Sequence, residues 1–267
     1  MSAPVAAAPF DAAAPGAALK RVVIEIQEYL RIIGQVVSGF TTGPRYFRDV
    51  VEQLDTIGIG SLTVVLLTGL FTGMVLALQS GLTLDQFGAR PVVGRLVSAS
   101  MVKELGPVLT ALMVTGRVGS GIAAELGSMV VTDQIAALRA LGTDPIRKLV
   151  TPRVLAGTIM VPVLTIIADA VGIFGGAVIS KFQLEVSLSV YWNNVVAGLY
   201  FDDIWMGLIK PVVLGFLIVT IACHVGLRTT GGTQGVGRST TNAVVSASVA
   251  VLAVDFLLTK LLITLMY

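Results

Sequence analysis

The chain has 267 residues, of which 55% are hydrophobic and only 13% charged, with a formal net charge of +2 and a mean hydropathy of +0.89. Soluble domains carry roughly 45–50% apolar residues, and here the apolar residues gather into long runs, so the composition is that of a polytopic membrane protein. The small, dispersed positive charge excludes a nucleic-acid binder. The single cysteine, Cys223, excludes an intramolecular disulfide and a thiolate metal cluster.

In chain order, residues 1–18 form an Ala/Pro-rich tract with no basic residue ahead of an apolar core, which reads as a disordered tail and not as a secretory signal. Residues 19–57 form an amphipathic region. Leu19, Val22, Val23, Ile26, Leu30, Ile33, Val37 and Phe40 make one stripe, opposite Lys20, Arg21, Glu25, Glu28 and Arg31. This pattern suits a helix lying in the membrane interface, the alternative being a helix packed on a soluble partner. Residues 58–267 contain five apolar spans, at about 58–78, 96–118, 154–179, 206–227 and 243–266. The first carries Gly69 and Gly73, a small-xxx-small pair that permits close helix packing. The second is the least obvious, because Lys103 and Glu104 lie near one end and Arg117 near the other. Its continuously apolar part is too short to span alone.

Basic residues orient the spans. The segments before span one, between spans two and three, and between spans four and five hold eleven Lys and Arg, whereas the opposite segments hold three: Arg90, Arg95 and Lys181. The positive-inside bias predicts a cytoplasmic N-terminus and an external C-terminus. Phe182, Trp192, Tyr200, Phe201 and Trp205 in and beside the segment between spans three and four read as an aromatic belt.

Residues 119–152 form a charged island between apolar runs, collecting Glu125, Asp133, Arg139, Asp144, Arg147 and Lys148, and its composition predicts that it is wet. Within it, Ile135, Leu138 and Leu141 follow helical i, i+3 spacing before Gly142 ends the helix. Such a ridge fits a groove on a partner, and a solvated connecting loop fits equally well.

Two motifs imitate catalytic sites. Residues 232–239, GTQGVGRS, have phosphate-loop spacing, but Arg238 stands where that loop needs lysine, and the segment follows a membrane span and not a strand. A flexible Gly-rich connection is the expectation. Ser120 and His224, on different spans, could form a hydrolytic dyad, but Val118 stands where the rhomboid-type pattern G-x-S-G needs glycine. The ionisable residues within spans, Lys103, Glu104, Asp169, Lys210, Asp255 and Lys260, are costly in lipid, so they are expected to pair, line a cavity or snorkel. Lys103, Glu104 and Lys210 fall toward the outer leaflet and Asp255 near the middle. Nothing in the pattern calls for a cofactor or metal.

The run from Lys103 to Pro152, KELGPVLTALMVTGRVGSGIAAELGSMVVTDQIAALRALGTDPIRKLVTP, resembles the signature of the MlaE/YrbE permease family. So do GLFTGMVLALQ at 69–79 and GVGRSTTNAVVSASVAVLAVDFLL at 235–258. The resemblance covers about 45–264. It implies an all-α integral membrane protein of an N-terminal interfacial helix and five transmembrane helices, with a cytoplasmic coupling helix at about 125–148 between spans two and three. It further implies a non-catalytic ABC-transporter permease in the bacterial inner membrane, paired with a second permease copy or paralogue. Cytoplasmic ATPase subunits and an outer MCE-domain protein would complete the complex, which moves phospholipid or another hydrophobic lipid between membranes. Glu125, Asp133, Ile135, Leu138, Arg139 and Leu141 would contact the ATPase, and Lys103, Glu104 and Lys210 the lipid headgroup. The chain departs from the family pattern at Asp133 and Ala136, and at 239–242, which read Ser-Thr-Thr-Asn. Two other functions compete: an ion-coupled transporter using Asp169, Asp255 and Lys260, and an intramembrane protease using Ser120 and His224.

Overall fold

The computed structural model describes residues 15–41 and 46–266. Helix α1 (Pro15–Thr41) precedes α2 (Phe47–Asp85), α3 (Arg90–Val131), the short α4 (Gln134–Ala140), α5 (Ile146–Phe182), α6 (Leu188–Gly198), α7 (Phe201–Leu227) and α8 (Gly232–Met266). Helices α2, α3, α5, α7 and α8 are each long and apolar enough to cross a membrane. They alternate in direction, so α4 marks one end of the bundle and α6 the other. Of the expected tail, residues 1–14 lie outside the described residues, and 15–18 already belong to α1. Arg45 also lies outside them.

Every span extends beyond its expected limits, because hydropathy marks only the stretch suited to lipid while helical hydrogen bonding continues into polar turns. Span two is the largest correction. Although its continuously apolar part is short, α3 as a helix runs for 42 residues. Its continuation through residues 120–131 buries Ile122, Ala123, Leu126 and Gly127. The first half of the charged island therefore continues the span with one face buried, and only 132–145 form the connection.

The tightest seam joins α2 to α5. Gly69 faces the backbone of Ala168, and a Cβ on Gly73 would run into the Gly172 carbonyl. The small pair seen in the sequence thus lets two backbones meet, where dispersion rather than water exclusion holds membrane helices together.

At the α6 end, the Tyr191 hydroxyl donates to the Ile173 carbonyl at 2.9 Å, and Ser98 Oγ of α3 donates to the Val195 carbonyl at 3.3 Å. These bonds pin α6 over α3 and α5. Phe182, Trp192, Tyr200, Phe201 and Trp205 are all exposed, as an interfacial belt requires. At the α4 end, Asp49 and Lys148 join α2 to α5 at 2.6 Å, and Glu125 and Arg153 join α3 to α5 at 2.8 Å.

Helix α1 has two faces. Tyr29, Ile32 and Val36 turn inward, and the Tyr29 hydroxyl and Thr220 Oγ1 of α7 are 2.8 Å apart. Val23, Ile26, Leu30 and Val37 of the predicted stripe remain exposed. That exposed apolar stripe is the surface an interfacial helix offers to lipid.

Candidate functional site: an ion cluster inside the bundle

In α3 the residues Met101–Leu105 adopt a π-helical segment, a geometry often found at functional positions. Pro107 follows closely. Lacking an N–H, it cannot supply the i+4 bond to the Lys103 carbonyl, which is left open to a donor from elsewhere. Lys210 of α7 fills that vacancy: its Nζ donates to the Lys103 carbonyl at 2.8 Å. Close approach of α7 depends on Gly207, where any Cβ would press on the Val102 carbonyl.

Lys210 is completely buried, which for an ammonium in a membrane protein demands full compensation. It receives it. Glu104 Oε2 lies 2.8 Å from Nζ, and Asp255 Oδ1 of α8 lies 3.5 Å away, close enough for charge attraction though without hydrogen-bond geometry. Thr259, one turn beyond Asp255, donates to Glu104 Oε1 at 3.1 Å. A second pair adjoins this one: Lys103 Nζ lies 2.6 Å from Asp203 Oδ1, and Asp203 also accepts the Tyr200 N–H at the start of α7 at 3.2 Å. Three spans are thereby clamped by two cations and three carboxylates.

The arrangement adds to the headgroup expectation in two respects. Lys103 and Lys210 are each already held by a carboxylate, Lys210 by Glu104 and Lys103 by Asp203. Asp255 is not at a separate depth but joins Lys210. The accessible members are Glu104, whose side chain is 41% exposed, and Lys103, at 32%. Phe71, Thr72, Val75, Leu76, Gln79 and Leu105 line a mostly apolar groove of about 370 Å³ between α2 and α3, a lining that includes no member of the ion cluster. Asp203, Asp255 and Thr259 are the cluster members that sequence reasoning left out of the site. The i, i+4 spacing of Asp255 and Thr259 on one helix face was the available signal.

The expected ATPase-contact residues do not share one surface. Glu125 is engaged with Arg153, and Ile135 is buried against the bundle. Leu138 is half-buried, Asp133 and Arg139 are exposed, and Leu141 is 81% exposed. Asp133 takes a left-handed φ of 59°, and Gly142 a φ of 75°. Gly142 N–H bonds to the Arg139 carbonyl and Thr143 N–H to the Leu138 carbonyl, each at 3.0 Å, a Schellman closure that fixes where α4 ends. The exposed ridge is thus Leu141 with the edge of Leu138, while Ile135 anchors α4 to the bundle.

The competing sites are not assembled. Ser120 Oγ donates to the Gly116 and Arg117 carbonyls of its own helix, whereas the His224 ring packs edge-on to Tyr29, with centroids 5.6 Å apart. Asp255 belongs to the Lys210 cluster, Lys260 is exposed, and buried Asp169 has an unpartnered Oδ1. Residues 232–239 are not a flexible loop: they form the first turns of α8.

The chain is similar to known proteins over most of its length. The family model described as "Permease MlaE" matches residues 50–261. A probable ABC transporter permease protein of Rickettsia bellii is 44% identical over 218 residues, covering 82% of this chain and 84% of the relative. A probable ABC transporter permease protein of Synechocystis is 41% identical over 231 residues, covering 86% and 88%. The intermembrane phospholipid transport system permease protein MlaE of Haemophilus influenzae is 38% identical over 252 residues, covering 92% and 96%.

Proposed function

The chain belongs to the MlaE permease family, and from that premise we propose that it is the membrane-spanning subunit of an ABC transporter that moves phospholipid between membranes. The clamped cluster of Lys103, Glu104, Asp203, Lys210 and Asp255 carries the reading, because five ionisable groups inside a bundle cost too much to be kept for packing alone. Orientation follows the basic residues: the N-terminus and α4 are cytoplasmic, and α6 faces outward in a bacterial inner membrane. The cluster then lies in the outer half. Glu104 and Lys103 form its accessible rim for a headgroup, Lys210 organises them from behind, and the groove ending at Leu105 takes an acyl chain.

Energy comes from elsewhere. The protein is a non-catalytic permease, and ATP hydrolysis is supplied by cytoplasmic ATPase subunits seated on α4 through Leu141, Leu138 and Arg139. A second permease copy covers part of the lipid-facing surface, which includes the exposed stripe Val245, Val249, Leu252 and Phe256 on α8. An MCE-domain protein on the outer side exchanges lipid with the cluster's mouth. The testing experiment is affinity purification of the tagged chain: an ATPase whose turnover requires the chain should come with it, and lipid extracted from the complex should be phospholipid. Recovery of the chain with no ATPase partner would contradict the ABC-transporter reading.

A further inference from the structure

At the α4 end, far from the Lys210 cluster, α1, the end of α7 and the start of α8 enclose an open cavity of about 720 Å³. Its lining mixes polar Glu25, His224, Arg228 and Arg238 with apolar Ile26, Ile221 and Val225. The charges fall into two kinds. Arg228 is 3.3 Å from Glu28, so part of its charge is already answered, whereas Arg238 has no ion-pair partner among the described residues and projects from the first turns of α8. Glu25 supplies a carboxylate to the same space. Nδ1 of His224 is buried there without a hydrogen-bond partner, although buried polar atoms are almost always satisfied. Ser239 and Asn242 add neutral polar groups beside Arg238.

A cavity that offers an unanswered guanidinium, a carboxylate and an orphaned ring nitrogen together with apolar side chains matches a ligand carrying a phosphate, a nearby ammonium and a hydrocarbon tail. We propose that this cavity is a second lipid site, distinct from the transport cluster, which holds a phospholipid with a zwitterionic phosphate–ammonium headgroup. Arg238, helped by Asn242, binds the phosphate, since guanidinium is suited to paired hydrogen bonds with phosphate oxygens. Glu25 receives the ammonium, and an acyl chain follows Ile26 and Ile221 toward the exposed stripe of α1. An occupied site would fasten α1 to α7 and α8, adding to the Tyr29–Thr220 and Glu28–Arg228 contacts. The site's chemistry is independent of whether the Lys210 cluster carries cargo.

The test uses the full-length chain with its co-purifying partners in mixed micelles, and a phosphatidylethanolamine bearing a photoactivatable group on its acyl chain. Crosslinks mapped by mass spectrometry should fall on the α1 segment around Ile26 and on α7 around Ile221 and Val225. Arg238→Ala should reduce that labelling about tenfold, the loss expected for one charge-assisted contact worth roughly one decade in affinity, and Arg238→Lys should retain most of it. Glu25→Gln should abolish the preference for phosphatidylethanolamine over phosphatidylglycerol as competitor. Labelling on α3 near Glu104 in the same sample reports the transport site separately, so failure at one site is not confused with failure at the other. Absence of label at Ile26, Ile221 and Val225, or label indifferent to both Arg238→Ala and Glu25→Gln, overturns the proposal. Displacement by free phosphoethanolamine or inorganic phosphate at the concentration at which the lipid competes also overturns it, by making the ligand a soluble phosphate compound.

Discussion

Replacing Lys210 with methionine keeps most of the side-chain volume but removes the charge that three groups share. In the native arrangement its Nζ lies 2.8 Å from the Lys103 carbonyl, 2.8 Å from Glu104 and 3.5 Å from Asp255. Without it, the carbonyl opposite Pro107 has no donor, and two carboxylates face each other with no cation between them. Removing one member of a buried ion pair costs about 3–5 kcal/mol. Glu104 is 41% exposed and can regain water, which lowers the expectation to about 2–3 kcal/mol. For a chain of this size that corresponds to a fall of about 5–10 °C in Tm, measurable by thermal unfolding of the detergent-purified protein. Lys210→Ala therefore does not leave the scaffold untouched, as a pure headgroup ligand would. Adding Glu104→Gln and Asp255→Asn to Lys210→Met removes the stranded charges and should restore stability to within about 1 kcal/mol of wild type, without restoring lipid transfer. A single-variant cost below about 0.5 kcal/mol, the worth of an exposed pair, or a triple variant no more stable than the single, would refute the clamp.

Gly73→Val should place a branched side chain against the Gly172 backbone and open the α2–α5 seam. A loss of about 1–3 kcal/mol or failure to accumulate in the membrane is expected, whereas Gly121→Ala, with open space around it, should unfold at the wild-type temperature. Leu141→Asp should weaken ATPase pull-down while leaving Tm unchanged, because that side chain is 81% exposed. Ile135→Asp should instead lower Tm, since it buries a charge in the bundle, and equal behaviour of the two variants would contradict the division of α4 into ridge and anchor. In a Cys223→Ala background, cysteines at Ala140 and Gln234 should resist an impermeant thiol reagent outside intact cells, and one at Ser187 should react. Reaction at Ala140 from outside would invert the topology.

The bundle was legible because lipid imposes a simple demand: a span needs about 20 apolar residues, and five runs supply them. Span two was the exception. Lys103, Glu104 and Arg117 break its hydropathy, yet each is answered in three dimensions, Arg117 by Ser61 Oγ at 3.1 Å on α2. No one-dimensional window contains such a partner. For the same reason Lys103, Glu104 and Lys210 stood out as misplaced charges, while their pairing with Asp203 and Asp255 did not, since the partners are roughly 45 to 100 residues apart in sequence and meet only when the helices pack. The Gly-rich stretch at 232–239 misled in the other direction. Glycine weakens an isolated helix, but a Cβ at Gly235 would meet the Thr230 carbonyl, so at that position glycine permits the tight entry into α8. In α4, the i, i+3 ridge was read correctly as helical, but its inward side was hidden, because both bundle and partner select for apolar residues.

The most direct test of the central claim is ATP-dependent transfer of a fluorescent phospholipid between proteoliposomes holding the purified complex and acceptor vesicles loaded with the MCE-domain protein. Transfer should require this chain, and Glu104→Lys should abolish it while ATPase subunits still co-purify, because the variant reverses the charge at the cluster's accessible rim. Wild-type transfer rates from the Glu104→Lys complex, with assembly intact, would contradict the assignment of the cluster to lipid passage.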